Sequence, residues 1–182
     1  MKFRTALAAS ILFASPATAQ SDEEFDPAKV NVVDAINCAI DTSEYMGFAI
    51  TLGDEDGGYR KRGWIKQESG NSFLSQYRLP APIDIAGHQT STIVFGSSGV
   101  LAVLDIADPT ELAKQEKIEN VIPGSAKFLG EREILKTVEK DPDNGWTITT
   151  RVTRNLSTVS SHPGKTLLGC SYVRDVKLPG EK

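Results

Sequence analysis

Asp141-Pro142-Asp143-Asn144-Gly145-Trp146-Thr147-Ile148-Thr149-Thr150-Arg151-Val152-Thr153-Arg154-Asn155-Leu156 carries the clearest turn and strand signals of the chain. Its first five residues crowd proline, glycine and Asx side chains into a hairpin turn. The residues that follow alternate: Trp146, Ile148, Val152 and Leu156 fall on one face, and Thr147, Thr149, Arg151, Thr153 and Asn155 on the other. A period of two over this length predicts a strand, 146–159, with one face buried. An antiparallel sheet can leave its second face wet, and the threonine row suits that face.

Residues 127–140 precede the turn. Phe128, Leu135 and Val138 would also fit a helix, but the turn favours a strand. On the other side His162-Pro163-Gly164 turns the chain into a strand over 165–176, with Leu168, Cys170, Tyr172 and Val176 on one face. Residues 90–95 and 100–106 are more continuously apolar and are joined by Gly96-Ser97-Ser98-Gly99, which predicts a central hairpin buried on both faces. Residues 59–67 and 72–79 read as another hairpin, with Phe73, Ser75, Tyr77 and Leu79 sharing a face and Pro80 and Pro82 ending the ladder.

Helices are marked by their caps. Asp26-Pro27 opens one whose apolar positions are Val30, Val33, Ile36 and Ile40, and Asp108-Pro109 opens another that runs to about Ile118. A third spans residues 43–52, capped by Asp41 or Thr42. The fold class is therefore α+β: a mostly antiparallel, curved sheet of about seven strands with two to three helices packed on one face.

The chain opens with an export signal. Lys2 and Arg4 form a positive region, residues 6–14 an apolar one, and Ala17-Thr18-Ala19 the small residues of a cleavage site after Ala19. The apolar run is far short of the roughly 20 residues of a membrane span, so no transmembrane segment is expected. The expected organisation is a cleaved signal at 1–19, an acidic leader at 20–26, one domain at 27–178 and a tail at 179–182. Cleavage leaves 163 of the 182 residues, with 18 basic side chains (20 less Lys2 and Arg4) against 24 acidic ones, a net charge of −6. That balance disfavours nucleic acid and anionic membrane surfaces as partners. In an oxidising compartment the two cysteines, Cys38 and Cys170, read as one structural disulfide worth on the order of 4 kcal/mol. It would staple the first helix to the last strand.

No motif declares a chemistry. His88 and His162 are the only histidines, and both fall in turns. A serine hydrolase would draw on Ser161 or Ser97 as nucleophile and Asp84 or Asp105 as orienter, yet Gly96-Ser97-Ser98-Gly99 is not a nucleophile elbow. Two histidines and two paired cysteines are too few ligands for zinc. Gly53-Asp54-Glu55-Asp56-Gly57 and Asp141-Pro142-Asp143-Asn144-Gly145 crowd carboxylates as calcium loops do, without the EF-hand spacing. Arg60-Lys61-Arg62 reads as a solvated sheet edge, Trp64 and Trp146 as core anchors, and Asn155-Leu156-Ser157 as an unused sequon in a bacterial protein. No catalytic, cofactor-binding or metal residue is assigned, and no cofactor is called for. The expected function is a periplasmic or secreted, non-enzymatic binding or interaction module of the bacterial cell envelope, acting on an envelope protein or small ligand. The alternative is a small envelope hydrolase using His88 or His162. A third possibility has the threonine-rich strand pairing with another chain.

Overall fold

A computed structural model describes residues 25–53 and 57–180. The expected signal with its cleavage site after Ala19, most of the expected acidic leader, and the middle of the Gly53–Gly57 loop lie outside the described residues. So do the last two residues of the tail.

Seven strands form one open antiparallel sheet: β1 (Ile65–Gln67), β2 (Ser75–Ile85), β3 (His88–Phe95), β4 (Gly99–Leu104), β5 (Leu129–Lys140), β6 (Thr147–Ser157) and β7 (Thr166–Lys177). Their order across the sheet is β1-β2-β3-β4-β7-β6-β5. Four helices accompany it: α1 (Val32–Ile36), α2 (Thr42–Gly53), α3 (Gly58–Lys61) and α4 (Thr110–Glu116). The main core lies between one sheet face and α1, α2 and α4, and a smaller cluster of Val94, Val103 and Leu167 lies on the opposite face. The α+β sheet and the central β3–β4 hairpin match the sequence pattern, as do β5, β6 and β7.

The N-terminal helix is not one piece. Asp26 caps only a 3-10 turn, Pro27–Lys29, by accepting from the Ala28 amide at 3.0 Å. Val30 then turns extended, and Asn31 caps α1 afresh through the Val33 amide at 2.9 Å. The break has a physical cause in Arg62. Its guanidinium donates to the carbonyls of Pro27, Ala28 and Val30 at 2.8–3.0 Å, taking oxygens that a continuing helix would offer to amides four residues on. Phe25, placed in the leader by sequence, lies against Gly47 of α2.

α2 begins with a reciprocal capping box. Asp41 accepts from the Glu44 amide and Glu44 from the Asp41 amide, both at 2.8 Å. Its buried face is Thr42, Tyr45, Phe48 and Leu52.

Residues 59–67 are not a strand throughout. Residues 58–61 form α3, which ends with Gly63 at φ +71° and the Trp64 amide bonded back to the Tyr59 carbonyl at 3.0 Å. This is a left-handed helix C-cap that suits glycine. Only Ile65–Gln67 pairs, antiparallel to residues 76–78 of β2. Arg60-Lys61-Arg62 is therefore no sheet edge. The Arg62 guanidinium also lies 4.6 Å from the Phe48 ring centroid and 5.4 Å from that of Trp64.

Pro80 and Pro82 do not end β2 either. The register with β3 jumps from Arg78↔Thr92 to Ile83↔Thr90, and both prolines sit in that irregular stretch, where no ladder amide is needed. Ala86 and Gly87, at φ +53° and +82°, then form the two-residue turn into β3, so His88 opens a strand instead of lying in a loop.

Cys38 and Cys170 are joined by a disulfide with Cα atoms 5.3 Å apart, tying the end of α1 to β7. Beside it Tyr172 donates its hydroxyl to the Ala35 carbonyl at 2.7 Å and stacks on Tyr45 at 4.5 Å between centroids. Trp64 is buried, whereas Trp146 is 40% exposed. The expectation of a core role fails for Trp146 because β5, β6 and β7 run on past the helices that would cover it.

Candidate functional site

A largely apolar depression in the surface runs between α2 and the near ends of β2 and β3. It encloses about 630 Å³. One wall is Tyr45, Met46, Ala49 and Ile50 of α2, and the other includes Phe73, Tyr77 and Phe95. Met46, Ile50 and Phe73 are 48%, 62% and 86% exposed, so large apolar side chains stand at its mouth in water. Its floor rests on a packed aromatic cluster. Phe95 meets Phe48 edge-on at 5.7 Å and Tyr77 at 5.9 Å, and Tyr77 in turn packs on Trp64 at 5.9 Å. Burial pushes the Tyr45 and Tyr77 hydroxyls above the ordinary phenol range. Ser75 and Ser97 add aliphatic hydroxyls to those of Tyr45 and Tyr77, and among the described residues the lining carries no charge. Sequence reading missed this groove because Met46 and Ile50 sit on a helix that is apolar around most of its circumference. Phe73, expected on the face of a strand, falls in the loop before β2.

The two histidines are not brought together. His88 begins β3 and His162 contacts Gln76 near the opposite end of the β2–β3 ladder, on the order of 20 Å away along the strands. His88 is exposed. His162 is buried in the β6–β7 turn, with Nδ1 3.0 Å from the Ser161 hydroxyl and Nε2 2.9 Å from Oε1 of Gln76. Burial holds its pKa below the ordinary imidazole value. Neither proposed orienter reaches a histidine. Asp84 accepts from the Gly87 amide and from Gln89, and Asp105 pairs with Lys165 at 2.9 Å. Ser97 lines the apolar groove, away from both rings.

The remaining candidates have structural explanations. Asp141 spends its carboxylate on the amides of Asp143 and Asn144 and on the Asn144 side chain, and these bonds close the turn. Among the described residues no group of three His, Cys, Asp or Glu side chains is arranged to hold a metal ion. Asn155 is half-buried on β6 and donates to Ser171 at 2.7 Å and to the Thr153 carbonyl, which is structural use of the sequon asparagine. The threonine row is half-buried, with Thr153 fully so, and is not a wet face. β6 lies hydrogen-bonded between β5 and β7, so the threonine-rich strand has no free edge for another chain. Among the described residues no helix is long and apolar enough to cross a membrane.

No protein-family model, curated protein or solved structure matches this chain.

Proposed function

We propose that this protein is an exported binding module of the cell envelope whose groove between α2 and the β2–β3 end takes an apolar group of an envelope component. The observation that carries this is the exposure of Met46, Ile50 and Phe73 around a groove whose floor is a fixed aromatic cluster. Exposed apolar side chains cost solubility when they serve no contact, and a concave apolar surface of this volume falls within the range that holds ligands. Met46 adds adaptability, since an unbranched thioether repacks around differently shaped groups. The buried disulfide supports an oxidising compartment, in keeping with the export signal.

The test is displacement of a fluorescent apolar probe, 1-N-phenylnaphthylamine, by envelope lipid extract. Probe binding should fall at least tenfold in Ile50→Glu and Phe73→Asp, with thermal stability within about 0.5 kcal/mol of the parent, because both side chains are exposed. Equal binding by parent and variants would place the work of the protein elsewhere.

A further inference from the structure

On the face of the sheet opposite the groove, four side chains from two distant parts of the chain are linked in one order. Gln76 projects from β2, and its Nε2 donates to Oε1 of Gln67 at 3.1 Å. That bond turns the Gln76 carbonyl oxygen toward His162. A carbonyl oxygen only accepts, so Nε2 of His162 carries the proton. Nδ1 is then left with its lone pair, and it is this nitrogen that the Ser161 hydroxyl reaches at 3.0 Å. Nucleophile, base and orienter are all present, with an amide in the place a carboxylate often fills.

Ser161 opens on a cavity of about 520 Å³ lined by Asn71, Ser72, Lys127 and Ser160. His162 lies in the wall of an adjoining cavity of about 560 Å³, which shares Lys127 and Ser160.

We propose that Ser161 and His162 form an acyl-transfer site that hydrolyses esters of small carboxylic acids. The Ser161 oxygen attacks the ester carbonyl and its proton passes to Nδ1. The carbon–oxygen bond to the alcohol breaks, and the alcohol leaves with that proton. Water then attacks the acyl-serine, gives a proton to Nδ1, and the acid departs as the proton returns to Ser161. Ester and water become acid and alcohol. Lys127, Ser72 and Ser160 are the donors available to the oxyanion in the cavity wall. Gln76 is a positioning residue that holds the reactive tautomer. Burial keeps the imidazole in its neutral, proton-accepting form near neutral pH.

The experiment uses the unaltered exported protein with p-nitrophenyl acetate. A burst of p-nitrophenol is expected, with one acetyl group per chain located on Ser161 by peptide mapping. Ser161→Ala should abolish the burst. Gln76→Leu should slow acetylation on the order of 10²-fold, and Gln76→Glu, which restores the acceptor, should recover most of the rate. Acetylation of Ser161 no faster than that of Ser72 in the unaltered protein would overturn the proposal. So would a burst that survives in Ser161→Ala.

Discussion

Arg154 occupies a position on β6 where the alternation calls for an apolar side chain, between Val152 and Leu156 on the core face. Its guanidinium is 5% exposed and is satisfied by both oxygens of Glu116, at 3.0 and 3.2 Å, and by the Ile36 carbonyl. Removing one partner of a buried pair leaves an uncompensated charge, so Arg154→Met should lower stability by about 3–5 kcal/mol. Arg154→Met together with Glu116→Leu should recover most of that loss in urea unfolding, because two apolar groups replace the pair. A double variant no better than the single one would mean that the bond to Ile36, and not the charge pair, holds α1 in place. His162 makes a second prediction. Its folded pKa lies below the 6.5 of the unfolded chain, so the unfolded state takes up the proton at higher pH. The stability it contributes is whole above pH 6.5 and is lost as pH falls through the folded value. Melting temperatures should drop on moving from neutral toward about pH 5, and His162→Gln should flatten that drop. An unchanged slope in the variant would assign acid sensitivity to other groups. The environment of neither residue was legible in sequence, although His162 itself was a candidate there. Arg154 reads as one polar member of an alternating strand, and the Gln76 partner of His162 is 86 residues away.

Elements were legible where one signal acted alone. The Asp-Pro-Asp-Asn-Gly turn and the strands on either side of it needed nothing from the rest of the chain, and β5 and β6 pair across it as the alternation requires. Elements were misread where a tertiary contact competes with a local pattern. Arg62 takes the carbonyls that would have continued the first helix, and a register jump removes the need for amides at Pro80 and Pro82. The α3 C-cap was visible in principle, since basic residues followed by Gly63 form a stop signal. The disulfide belongs to this scale, because it joins two elements that sequence order keeps 132 residues apart. Cys38 stands at φ +60° just past α1, with the Ala39 amide bonded to the Asp34 carbonyl at 2.9 Å, a position that glycine usually takes. The cross-link offsets the cost of that backbone. Cys38→Ser with Cys170→Ser should lower the unfolding free energy by about 4 kcal/mol. In contrast, Cys38→Gly with Cys170→Ala should lose less, since glycine relieves the left-handed strain. Denaturant midpoints of the two double variants would separate these terms, and equal losses would show that the backbone at residue 38 relaxes once the bond is gone.

The whole molecule is a covered sheet continued by an uncovered one. β4 pairs with β7 only over residues 166–171, and beyond that point β7 keeps β6 as its neighbour. Residues 135–140, 147–152 and 172–177 thus form a three-stranded extension about 20 Å long. Val152 and Tyr172 at its inner end are buried, whereas Leu135, Val138, Trp146 and Val176 are 40–61% exposed. The Cys38–Cys170 bond and the Tyr172 hydroxyl bond to Ala35 lie where the covered part ends, so the helical layer is fastened at the boundary. Opening free energy follows buried apolar contact more closely than the number of ladder bonds. The same three strands should therefore show two regimes of amide exchange. Peptides from residues 136–150 and 173–178 should exchange at least tenfold faster than those from 153–157 and 166–171, although both sets are fully paired in the sheet. Reduction of the disulfide should move the boundary inward, raising exchange in 166–171 first. Uniform protection along β6 and β7 would mean that the outer half is covered in solution, and Trp146→Ser should then lower that protection by exposing the cover.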